Sequence, residues 1–225
     1  MTGYQYSRYS ATKYLFSDIE RRLNKDQVWT NCSVAVCAMD SKQNLISNST
    51  EYILESALEC EKFIRNLVDN ENGQYTSFPS LYMDLRKDEE FVERLFYSLN
   101  INRRKSNTQL VAFKLAHEED ILRNMFHDCN FPFYYDDKDF QNGEGMEGPF
   151  QHDGIDLYQI GIQLKAFKLS ENIGMRARLL DTARVLGINV LDNEHHSARY
   201  DCWLATQIFK RHQENLRQIY GNQAA

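Results

Sequence analysis

Residues Tyr14 to Glu20 read Tyr-Leu-Phe-Ser-Asp-Ile-Glu, an apolar run that ends in two carboxylates one residue apart. Side chains two positions apart on a β-strand point to the same face, so Asp18 and Glu20 stand side by side at the end of such a strand. Two like charges at that spacing repel unless something positive lies between them. A hard divalent cation meets the need, because it prefers oxygen ligands and tolerates several anionic ones at once. The alternative is a strand that happens to end in a charged turn, and the rest of the chain decides between the two.

The chain's 225 residues, 42% of them apolar, can bury one sizeable core, and only three prolines and ten glycines argue against linkers or low-complexity segments. A formal charge of −6 speaks against a general nucleic-acid binder that relies on Lys and Arg, but not against an enzyme with an acidic, metal-loaded site. Cys32, Cys37, Cys60, Cys129 and Cys202 are scattered, without Cys-x-x-Cys pairs, as expected of reduced thiols in an intracellular, cytoplasmic protein. No signal-peptide pattern or membrane-crossing stretch is present in the sequence.

Residues 1–12 are polar and tyrosine-rich and read as a flexible tail, leaving a single domain over residues 13–220. Lys13 to Ile19 reads as a strand, Arg21 to Asn31 as a polar stretch, and Cys32 to Met39 as a second strand. A turn over Asp40 to Asn44 leads to a third strand within Leu45 to Leu54, which together make an antiparallel meander. From Asp88 the period becomes helical, with Phe91, Leu95, Phe96 and Leu99 on one stripe. A short buried strand around Leu110 to Phe113 precedes a helix opened by the acids Glu118, Glu119 and Asp120. Asn130 to Phe150 reads as a loop, Asp156 to Phe167 as a third helix, and Met175 to Leu186 as a fourth that Gly187 stops.

The last helix, capped by Ser197, has an inward stripe of Ala198, Cys202, Ala205, Ile208 and Phe209. Asp201 lies at the edge of that stripe, where a carboxylate is costly unless it is paired or bound to metal. His196 sits just ahead of the helix, five residues before Asp201, where a loop can aim an imidazole at whatever the carboxylate holds.

These features come in the order and spacing of the DEDDh 3′→5′ exonucleases, and within that superfamily the chain most resembles the nuclease domain of bacterial exonuclease I. The resemblance rests on the Asp18/Glu20 strand, Arg123-Asn-Met-Phe126 after the buried strand, Gly154-Ile-Asp-Leu157, and Gly187 followed by His196-Ser-Ala-Arg-Tyr-Asp201, and it runs from about residue 13 to 213. It implies an α/β, ribonuclease H-like exonuclease fold, with a mixed β-sheet, an antiparallel N-terminal meander and flanking α-helices. It also implies two Mg²⁺ or Mn²⁺ ions held by Asp18, Glu20, Glu118 and Asp201, and His196 as general base. The implied activity is metal-dependent removal of nucleoside 5′-monophosphates from the 3′ end of single-stranded nucleic acid, DNA favoured over RNA.

Two departures stand out. Glu118 falls where the family has aspartate, with Glu119 and Asp120 as alternative third acids, and Arg21 and Arg22 replace the small residues that follow the first motif. They keep open a second expectation, a catalytically degenerate exonuclease fold that binds nucleic acid or protein. Arg103, Arg104 and Lys105 are further basic residues that could guide a strand.

Overall fold

The computed structural model describes residues 13–46, 50–53, 57, 59–60, 109–118, 121, 154–166, 177–191 and 196–221. The tail, the helix expected from Asp88, Arg103 to Lys105, Glu119, Asp120, Cys129 and the loop 130–150 lie outside these residues. Five strands, β1 (Tyr14–Leu23), β2 (Trp29–Met39), β3 (Thr50–Ile53), β4 (Gln109–Ala112) and β5 (Ile155–Asp156), form one sheet in the order β3-β2-β1-β4-β5. β1 runs antiparallel to β2, and β2 to β3, whereas β4 is parallel to β1 and β5 parallel to β4. Among the described residues three named helices follow: α1 (Leu157–Ala166), α2 (Leu179–Val185) and α3 (Ala198–Tyr220). The mixed α/β sheet with an antiparallel meander is the architecture expected from the sequence. Among the described residues no helix is long and apolar enough to cross a membrane.

Both turns of the meander are built by a side chain that imitates backbone. Asn24 Oδ1 accepts hydrogen bonds from the Asp26 and Val28 amides, and Asp40 Oδ1 from those of Lys42 and Asn44. Asn and Asp close such turns readily, and Gln27 and Gln43 take the left-handed backbone that each turn needs. The first turn falls later than the residue pattern indicates. Arg21 to Asn31 is not a polar connection, because β1 continues to Leu23 and pairs Arg21 with Asn31, Arg22 with Thr30 and Leu23 with Trp29. A register shift between Glu20 and Arg21 separates this outer ribbon from the sheet, and Arg21 lies 5.9 Å from the Trp29 ring centroid. A β-bulge of this kind adds a residue to one strand and raises the local twist, which local alternation does not reveal.

Several element limits also move. β3 is shorter than Leu45 to Leu54 within the described residues, with Leu45 making only an isolated bridge to Met39. The fourth predicted helix starts at Leu179, since Ala177 and Arg178 are not helical and Arg178 is its extended N-cap. Gly187, at φ +72°, ends α2 as expected.

The core lies between the sheet and α3. Tyr14 and Phe16 of β1 meet Phe209 of α3, with ring centroids 4.7 and 5.5 Å apart. Ala198, Cys202, Ala205, Ile208 and Phe209 are all buried, and Tyr200 and Leu204 are fully enclosed beside them. Cys32, Cys37, Cys60 and Cys202 are buried, and burial pushes the Cys37 thiol up to about 12, which keeps it protonated and unreactive.

α1 approaches α2 over Gly161. A Cβ there would sit 2.6 Å from Thr182 Oγ1 and 2.8 Å from Ala177 Cβ. Thr182 is fully buried and held by its hydroxyl on the Arg178 carbonyl, so it has little freedom to retreat. Gly161→Ala gains about 1 kcal/mol of helix propensity but incurs about 1–3 kcal/mol of overpacking, so a thermal melt is expected to show a net loss of stability.

Candidate metal centre

The site follows from the alternation of β1. Tyr14, Phe16, Asp18 and Glu20 occupy successive positions of one face, and the first two pack on Phe209 of α3. From Phe16 to Glu20 the strand rises about 13 Å, and from Phe209 back to Asp201 the helix spans about 12 Å. The face of β1 thus turns from aromatic to acidic where α3 presents its N-terminal turn. Glu20, His196 and Asp201 bring one ligand atom each to within 4.8 Å of one another.

The other acids come from other elements. Glu118 follows the turn after β4, in a helical segment over residues 115–118 entered through Lys114 at φ +67°. Its carboxyl takes a hydrogen bond from the Ile19 backbone, beyond the point where β4 stops pairing with β1. Asp201, in the first turn of α3, accepts a hydrogen bond from the His196 amide at 3.3 Å. His196 itself has φ +71°, a conformation non-glycine residues adopt at a cost of order 1 kcal/mol. Its ring is 64% exposed, with Nδ1 3.8 Å from Glu20 Oε1.

Of the expected site residues, the structure brings ligand atoms of Glu20, Asp201 and His196 together, while Asp18 and Glu118 lie within reach of the charges of these acids but outside the group that converges within 4.8 Å. Glu118 is the described acid of the 118–120 cluster. Two further residues join them that sequence reasoning had not assigned to the site. Glu51 of β3 is buried, and it faces the cluster because Asp18 is paired with Ala35 and Ala35 with Glu51 in one row across the sheet. Arg22, beyond the bulge, donates to Glu20 Oε2 at 2.6 Å and to the Arg21 carbonyl at 2.8 Å.

Burying these acids together is electrostatically costly. Asp18 is pushed well above its usual range by burial and by the charges of Asp201, Glu118, Glu20 and Glu51. Burial raises Glu20 to about 7 against the opposing pull of Arg22, with Asp201 and Glu51 adding to the rise. Glu118 rises to about 8 through burial and the charge of Glu20, partly offset by Arg21, the Ile19 amide and Lys114. Glu118 is only 5% exposed, yet its Oε2 has no hydrogen-bond partner among the described residues. A buried carboxylate oxygen without a partner, inside a set of oxygen donors and one imidazole, fits a hard divalent cation and does not fit a soft metal.

No protein-family profile and no curated protein matches the chain. Solved structures do. E. coli exonuclease I in complex with a dT13 oligonucleotide is 15% identical at a TM-score of 0.55, over 94% of this chain and 43% of that one. A further exonuclease I structure is 17% identical at 0.55, over 89% of this chain and 40% of that one. The structure of the yeast NOT1 MIF4G domain co-crystallized with CAF1 contains a chain 13% identical at 0.56, over 96% of this chain and 83% of that one. The chain spans about two fifths of the length of the exonuclease I structures it matches. In fold, this chain is a ribonuclease H-like α/β protein, the fold it shares with exonuclease I.

Proposed function

We propose that this chain is a metal-dependent 3′→5′ exonuclease of the DEDDh type that acts on single-stranded nucleic acid, DNA in preference to RNA. The observation that carries the reading is Oε2 of Glu118, buried and without a hydrogen-bond partner among the described residues, within a cluster whose burial and charges raise Asp18, Glu20 and Glu118. Groups so arranged are fully charged at neutral pH only with cations among them. Asp18, Glu20, Glu118 and Asp201 would hold two Mg²⁺ or Mn²⁺ ions. When bound, such ions supply activation of a water and neutralisation of charge on the phosphate and the leaving oxygen.

The protein's own groups do the rest. His196 presents an exposed imidazole whose Nδ1 edge faces Glu20, which leaves Nε2 to take the proton from the attacking water. The left-handed backbone at His196 and the hydrogen bond its backbone N–H donates to the Asp201 carboxylate fix the ring's origin relative to the cluster. The water oxygen bonds to phosphorus, the bond to the 3′ oxygen of the preceding nucleotide breaks, and that oxygen is protonated from solvent. The products are a nucleoside 5′-monophosphate and a strand one nucleotide shorter. The exonuclease I structures solved with single-stranded oligonucleotides support DNA as the strand.

A catalytically degenerate binding module is the second reading, and it is favoured by Arg22, whose guanidinium supplies Glu20 with a positive partner without any metal. Mass analysis of what the purified protein releases from a single-stranded DNA oligonucleotide separates the two. Nucleoside 5′-monophosphates that appear with Mn²⁺ and vanish with chelator are the expected result. No release in the presence of Mn²⁺ contradicts the exonuclease and leaves the binding module.

A further inference from the structure

We propose that Glu51 is a positioning residue that ties the N-terminus of α3 to the sheet and thereby sets His196 and Asp201, an inference that rests on the metal-site reading above. Glu51 is 5% exposed and uses its two carboxylate oxygens on different elements. Oε1 accepts from Ser33 Oγ of β2 at 2.6 Å, and Oε2 accepts from Ser197 Oγ at 3.3 Å, across 146 positions of sequence.

Ser197 makes the arrangement unusual. It is the N-cap of α3, with the extended backbone of a cap, and a serine there ordinarily turns its hydroxyl onto an amide of the first turn. It makes no such bond. The hydroxyl is given to Glu51 instead, so the residue between His196 and the helix is anchored to β3 rather than to its own helix. The register explains why this is possible. Asp18, Ala35 and Glu51 form one cross-strand row, and the small Ala35 lets the longer glutamate reach over β2 toward the helix start. Ser33, two positions before Ala35 on the same face, holds the other oxygen.

The same geometry separates Glu51 from the ligands. Both its oxygens are engaged by hydroxyls, whereas the proposed ligand Glu118 keeps one oxygen without a hydrogen-bond partner among the described residues. Groups that orient ligands in this way typically change metal affinity 10–100-fold when removed.

The test compares the full-length wild type with Glu51→Ala, Ser197→Ala, the double variant and Ser197→Thr. Each is titrated with Mn²⁺ alone by calorimetry and melted with and without it, every melt referred to the same variant's metal-free value. Glu51→Ala and Ser197→Ala should each weaken Mn²⁺ binding about tenfold, the double variant should be no worse than either, and Ser197→Thr should restore binding because it keeps the hydroxyl. Additive losses, or Mn²⁺ affinities equal to that of wild type, overturn the positioning role while the metal site stands. Loss confined to Glu51→Ala makes Glu51 a ligand and also overturns it. Absence of any Mn²⁺ effect on wild type removes the metal site and this inference with it.

Discussion

Asp201→Asn is expected to fold and to resist urea at least as well as wild type without metal, yet to lose nuclease activity by about 10³-fold, the scale of removing one essential electrostatic group from an active site. The two halves of the prediction have one cause. Asp201 is the largest charge acting to raise Asp18, so neutralising it relieves repulsion in the metal-free fold. Asparagine keeps the shape and an oxygen for the His196 amide, so the start of α3 is preserved. What disappears is the charge that would help to hold the cations. Urea melts in chelator and turnover assays in Mn²⁺ check both halves, and a variant that lost stability and activity together would assign Asp201 to packing instead.

The second large effect is a dependence of stability on pH that is opposite to that of ordinary surface carboxylates. Glu118 is raised from 4.5 to about 8 and Glu20 from 4.5 to about 7, and Asp18 moves in the same direction. Between those values the folded state holds more protons than the unfolded state, so the slope of unfolding free energy with pH is negative. The stability these groups contribute is fully present below about pH 4.5 and is lost as pH rises toward 8. A tenfold change in a carboxyl's acidity on folding is worth about 1.4 kcal/mol, so Glu118 alone represents a change of a few kcal/mol. The metal-free protein is therefore expected to show a falling urea midpoint from pH 5 to 8, with a smaller fall for Glu118→Gln. Saturating Mn²⁺ reverses the trend, because cation binding requires the deprotonated carboxylates. An identical slope for wild type and Glu118→Gln would show that Glu118 does not titrate in this range.

How much of the site was legible in the residues depends on the range of the interaction. Asp18 and Glu20 needed only the period of a strand, and Asp201 only the stripe of a helix, so both were legible locally. The antiparallel meander followed from the strand periodicity, whereas the mixed sheet was implied only by the family resemblance. Glu118 was one of three adjacent acids that periodicity could not separate; among the described residues it follows the turn at Lys114 and bonds to the Ile19 backbone.

Glu51 was out of reach for a different reason. Its place beside the cluster depends on the register of three strands, and a shift of one residue would have turned it to the other face. The signal was present only as a glutamate inside a predicted strand beside small residues of its neighbour. Arg22 was visible as a departure, but its contact with Glu20 depends on a bulge that pairing alone determines.

The most direct measurement of the central claim is a gel time course on a 5′-labelled single-stranded DNA, with the matching RNA in parallel, comparing wild type with His196→Ala in Mn²⁺. A descending ladder from the 3′ end, faster on DNA and lost in the variant, is the expected result. Intact strands with a folded, metal-supplied wild type, or a ladder that His196→Ala leaves unchanged, would contradict it.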